Sequence, residues 1–328
     1  MSITTMNILG KLLVLIVLLN SCEKESYEPT ETLPLGDASE TVSCVYIQKV
    51  SGQFEICKTE NDSHTTLTDA NGLDKWWPKH STSRGEILFY QSESSREIND
   101  FESASLCKLN ANNETITLIP EGSFGWDKQG LCNWAHSGNE IVMAAVDSTL
   151  GTWQVYITDA NGGNPKRITT RDDVDYFDPI FSLNDKKIYC SSIPENEELL
   201  NSNIEIMRID VNSGEEERLT YNNYRDHHPD ISPDENFLIY ESLIDPDYLS
   251  IGKWAIKELN LATSAERIVI EDDNINLFPK YSATQNLIYL TELEIETFQM
   301  RATVYNTSTK EKFPVNETED ITMNPDPF

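Results

Sequence analysis

Short apolar runs broken by polar turns organise this chain. Phe237–Tyr240, Lys187–Cys190 and Leu287–Leu290 are four-residue runs rich in β-formers, and Thr152–Thr158, Ile204–Asp210 and Trp254–Leu259 read as further strands. Stretches with a 3.6-residue period are few, so the pattern predicts antiparallel strands rather than helices. Between the runs lie turn signals such as Ser232-Pro233-Asp234-Glu235 and Ala160-Asn161-Gly162-Gly163, which place Pro, Asp and Gly where tight turns need them.

The runs recur as a unit. Pro78-Lys79-His80-Ser81, Cys132-Asn133-Trp134-Ala135, Pro179-Ile180-Phe181-Ser182, Pro229-Asp230-Ile231-Ser232 and Pro279-Lys280-Tyr281-Ser282 share one pattern. Six residues beyond each stands an aliphatic: Ile87, Ile141, Ile188, Leu238 and Ile288. The first members are 54, 47, 50 and 50 residues apart, a period expected of a repeat architecture. Each unit closes on Leu-Thr or a similar pair: Leu67-Thr68, Ile168-Thr169, Leu219-Thr220 and Ile268-Val269. Four strands per unit favour blades packed around an axis.

The Pro-x-x-Ser-Pro-Asp pattern, the Ile-Tyr strand after it, a third strand ending in Asp and the closing Leu-Thr resemble the PD40-type (WD40-like) repeat of TolB-like β-propellers. Residues 229–242 carry the pattern nearly complete; 78–90 and 132–143 carry it in degenerate form. A kelch repeat has a similar period but a Gly pair in every blade, and here only Gly162-Gly163 occurs. Residues Thr41–Asp69 hold a second strand (Cys44–Lys49), a third (Phe54–Lys58) and a closing pair, but no inner strand. The tail Asn324–Phe328 is left over, and its Pro327 lies 48 residues beyond Pro279. The expected fold is therefore all-β: a six-bladed β-propeller of four-stranded antiparallel blades over 41–328, its ring closed by the C-terminal strand.

Composition narrows the function. With 55 acidic and 25 basic side chains the formal net charge is −30, which excludes a nucleic-acid binder. Residues 1–21 read as a lipoprotein signal peptide: Lys11, the apolar run Leu12–Leu19, then Leu19-Asn20-Ser21-Cys22. The run is too short to span a bilayer. Cys22 is the expected lipidation site, and 22–40 a flexible, acidic tether to the cell envelope, at the outer membrane on its periplasmic or surface-exposed side. Cys44, Cys57, Cys107, Cys132 and Cys190 show no metal-binding spacing. Cys44 and Cys57 flank the Ser51-Gly52 turn and are a candidate disulfide, with buried free thiols as the alternative.

Blade connections and second-to-third loops open on one face. The loops 93–103, 194–203, 245–250 and 292–297 are acidic, and the connections place Trp76, Trp77, Tyr176, Asp178, Asp226, His227, His228 and Phe278 beside repeat prolines. These eight are the candidate ligand-binding residues at the channel mouth, with packing between blades as the alternative for Trp77 and Phe278. No G-x-S-x-G elbow exists, so no catalytic residue is assigned. Some propeller lyases acting on uronic-acid oligosaccharides use His from several blades around a metal. Here His227 and His228, as neighbours on a strand, are expected to point to opposite faces, so no metal or other cofactor is assigned. The resemblance implies a non-enzymatic, lipid-anchored envelope propeller that binds a peptide or protein segment. The alternative is an oligosaccharide-binding or metal-dependent polysaccharide-degrading propeller.

Overall fold

Second strands are buried along almost their whole length: Ile141–Val146 and Leu88–Tyr90 show no solvent-facing side. Such strands must lie between two neighbours, whereas the fourth strand Ser63–Thr66 is exposed throughout. The computed structural model describes residues 41–61, 63–93, 103–193 and 203–328, which form six four-stranded antiparallel sheets. Their packing makes a six-bladed β-propeller. Blades 2 to 6 start with the inner strands Leu73–Ser81, Trp126–Trp134, Tyr176–Phe181, Arg225–Ile231 and Ile275–Tyr281. The leader 1–21, Cys22, the tether 22–40 and most of loops 93–103 and 194–203 lie outside the described residues. No helix of the described residues is long and apolar enough to cross a membrane.

Blade 1 takes its inner strand from the far end of the chain. Thr322–Pro327 pairs antiparallel with Ser43–Val50, setting Asp326 opposite Val45 and Met323 opposite Ile47. The skipped pair, Asn324-Pro325, is the same bulge that blades 2, 4, 5 and 6 have before their pairing resumes, so the repeat proline is Pro325 rather than Pro327.

The closing pair has a hydrogen-bonding logic. Leu67, Ile168 and Leu219 each donate their N–H to a third-strand carbonyl, extending the ladder by one rung. The Thr that follows accepts the next third-strand N–H through its hydroxyl, at 3.0, 3.3 and 2.9 Å from Ile56, Val155 and Ile206. The same hydroxyls donate to buried Glu55, Gln154 and Glu205. In blade 5 the residue opposite Ile256 is Ile270, so the closing position there is Ile270, two residues beyond Ile268.

The five cysteines of the described residues are free and buried. Cys44 stands opposite Thr59 and Cys57 opposite Tyr46, so the candidate disulfide partners are not cross-strand neighbours. Burial pushes the thiols up, to about 11 for Cys57 and about 12 for Cys132.

Candidate functional site

Every inner strand is bulged, five of them at the same height and that of blade 3 one residue earlier, at Gly130-Leu131. In five blades the bulge begins with a non-glycine residue in the left-handed region: Trp77 (φ 55°), Asp178 (55°), His228 (50°), Phe278 (56°) and Asn324 (53°), each followed by proline. Asn and Asp tolerate this region, but for Trp, His and Phe it costs about 1–3 kcal/mol and must be imposed by the surroundings. The preceding blade supplies the constraint. Glu241 Oε2 accepts the Phe278 N–H at 2.5 Å, and Thr291 Oγ1 accepts that of Asn324 at 2.8 Å. The bulge turns these side chains onto the axis. Trp77 of blade 2 stacks on His228 of blade 5, three blades away, with ring centroids 5.9 Å apart. Phe278 meets both edge-on at 4.6 Å. Together they plug the channel.

Beside the plug Asp178, His227 and His228 converge. Asp178 Oδ2 is 3.4 Å from His227 Nδ1, and its Oδ1 is 3.4 Å from His228 Nε2. His228 Nδ1 is held 2.9 Å from Glu241 Oε1, and Ser191 Oγ donates to Asp178 at 3.2 Å. Burial would raise the Asp178 carboxyl, but the two histidines outweigh it and hold it at about 2. Burial likewise pulls His228 down, and the facing Asp178 and Glu241 carboxylates more than reverse that.

The structure thus gathers four of the eight sequence candidates, Trp77, Asp178, His228 and Phe278, on the axis, with His227 at their side. It corrects two expectations. The histidines do not point to opposite faces, because the left-handed backbone at His228 breaks the strand's alternation. The expected exposed rim is largely interior: Trp76, Tyr176 and Asp226 are fully buried, and Trp77 and Phe278 are 4% and 8% exposed. These residues lie within strands, not in connections. Tyr176 donates its hydroxyl to Glu216 at 2.6 Å, and Asp226 accepts from Ser242 and Asn222.

The open concavity lies on the opposite face, where the first and second strands turn. It is a funnel of about 360 Å³ to which all six blades contribute. Its floor is one equivalent position per blade, two residues beyond the left-handed residue in the five blades that have one: Asp326, Lys79, Asn133, Ile180, Asp230 and Lys280 in blade order. Two of these contacts repeat one device. Asp326 bonds Lys79 Nζ (3.0 Å) with one oxygen and the His80 N–H (2.7 Å) with the other. Asp230 does the same for Lys280 Nζ (3.0 Å) and the Tyr281 N–H (2.9 Å). The walls carry His80, Trp134, Phe181, Tyr281 and Phe328. His80 Nδ1 and Trp134 Nε1 are buried without a hydrogen-bond partner among the described residues. Burial lowers the pKa of His80, Asp326 opposes this, and Lys58 adds to it, leaving a neutral ring. His80 and His136 were not among the eight sequence candidates. The repeat spacing was the available signal, because it puts positions 79, 133, 180, 230, 280 and 326 at one height.

No protein-family model matches the sequence, and no curated protein does. Similarity is found among solved structures. A protein described as TolB from Agrobacterium tumefaciens aligns over 87% of this chain and 98% of its own, with 14% identity and a TM-score of 0.61. TolB from Acinetobacter baumannii aligns over 87% of this chain and 66% of its own, at 13% identity and TM-score 0.65. An oligogalacturonate lyase in complex with manganese aligns over 84% of this chain and 74% of its own, at 12% identity and TM-score 0.53. The fold is a TolB-like propeller.

Proposed function

We propose that this chain is a non-enzymatic binding propeller that receives a peptide or protein segment in the axial funnel, tethered to the cell envelope by a lipid on Cys22. The observation that carries the reading is the funnel's composition. Aromatic walls offer apolar area, and the unpartnered His80 Nδ1 and Trp134 Nε1 offer hydrogen bonds that a ligand's polar groups would complete. The paired Lys79–Asp326 and Lys280–Asp230 floor is neutral overall and presents both signs to the N–H and C=O dipoles of a peptide backbone. The TolB-like fold supports the same reading, since the resemblance implies binding at a channel mouth.

A carbohydrate is the second reading, favoured by the same aromatic walls and by the similarity to an oligogalacturonate lyase. Capture from envelope extracts by the full chain, alongside Trp134→Ala and Phe328→Ala, separates the two. A protein recovered by the parent and reduced at least tenfold in both variants supports the funnel. Equal recovery by all three removes it, and binding only to acidic oligosaccharides selects the second reading.

A further inference from the structure

We propose that Asp178, His227 and His228 form a binding site for one divalent transition-metal ion, at the other end of the axis from the funnel. Among the described residues these three alone bring donor atoms of His, Cys, Asp or Glu within 4.8 Å of one another in a metal-holding group. The donors are His227 Nδ1, His228 Nε2 and a carboxylate oxygen of Asp178. Both Asp–His separations are 3.4 Å, too long for a good hydrogen bond. Each N–O pair has the roughly 3.4 Å spacing of two donors bound about 2.1 Å from one metal, and because the pairs use different oxygens of Asp178 the ion would sit across the carboxylate between the two rings.

The surroundings are those of a ligand set. Glu241, fully buried, engages His228 Nδ1 and so turns Nε2 toward Asp178, the carboxylate–histidine arrangement that orients metal ligands. Ser191 orients Asp178, and Trp77 and Phe278 fix the plane of the His228 ring. The left-handed backbone at both Asp178 and His228 is the strain that brings adjacent histidines to one point. The side chains retain 11 to 14% exposure, which gives an ion access and leaves coordination positions for water or substrate. Two imidazoles and a carboxylate suit Zn²⁺, Mn²⁺, Fe²⁺ or Co²⁺ rather than Ca²⁺ or Mg²⁺.

Co²⁺ titration of the untagged, chelator-treated full chain tests the site through its visible d–d absorption. One equivalent per chain is expected. Affinity should fall at least about 100-fold in His227→Ala and about 10- to 100-fold in Glu241→Gln, which keeps all three ligands. His64→Ala, on the exposed strand Ser63–Thr66, should bind as the parent does. Circular dichroism separates lost binding from lost fold, and His227, the most exposed ligand, is the variant least able to unfold the chain. No saturable absorption in the parent, or absorption unchanged in His227→Ala, overturns the site and shows instead a closed Asp178–His228–Glu241 ion stack. The readout does not involve the funnel, so it stands or falls separately from segment capture.

Discussion

At the residue scale, buried charges decide what this propeller tolerates. Lys75, from the inner strand of blade 2, reaches into blade 1 and sits 2.9 Å from Glu55, with both side chains at most 2% exposed. It also donates to the Asp69 carbonyl and to Asn71. Removing the amine strands a buried carboxylate, so Lys75→Met should cost about 3–5 kcal/mol, read as a lower urea midpoint with an unchanged slope. The double variant with Glu55→Leu should recover most of that loss. His80 sets a pH response of known sign. Its folded pKa is depressed, so its contribution is complete above the unfolded value of about 6.5 and is lost as pH falls toward the folded one. The drop in urea midpoint between pH 7.5 and 5.5 should therefore be smaller in His80→Gln than in the parent, and equal drops would refute the assignment. None of these partnerships was legible in the sequence. Lys75 and Glu55 lie in consecutive blades, and only the packing of one blade on the next makes them neighbours.

At the element scale, the repeat signals proved to be hydrogen-bonding devices. In five of the six blades a proline marks the bulge, and the sequence showed the proline; it did not show the left-handed residue before it. That single torsion turned the expected rim inward and put His227 and His228 on one side, because a bulge resets the two-residue alternation on which the sequence reading relied. The closing Thr was legible as a motif, and its cause is now plain. Thr220 accepts the Ile206 N–H and donates to Glu205, both in the interior. Thr220→Val keeps the shape and removes both bonds, so it should cost about 1–3 kcal/mol by chemical denaturation. The exposed Thr66, which closes no ladder, is the control and should be neutral on replacement.

At the scale of the whole molecule, the blade count and the closure followed from the sequence because both are matters of counting: five inner strands for six sets of outer ones, and a spare tail. The face that holds the concavity did not follow, since it depends on how far each inner-strand side chain reaches toward an axis that no single repeat contains. Closure also predicts where the fold is weakest to cutting. Thr322, Met323, Asn324, Pro325 and Asp326 are all buried, and Asp326 holds Lys79 and the His80 N–H of the next blade. Deleting 322–328 exposes the edge of Ser43–Val50, unpairs a buried amine and opens the funnel wall at Phe328. The loss should be of the same order as the roughly 5–15 kcal/mol that keeps a domain folded, so the truncated chain should be proteolysed at its first blade under conditions that spare the parent. A synthetic peptide of residues 322–328 added in trans should restore protection, since it supplies the missing rungs without the covalent link. Protection of the truncated chain without the peptide would mean that the ring does not depend on its last strand.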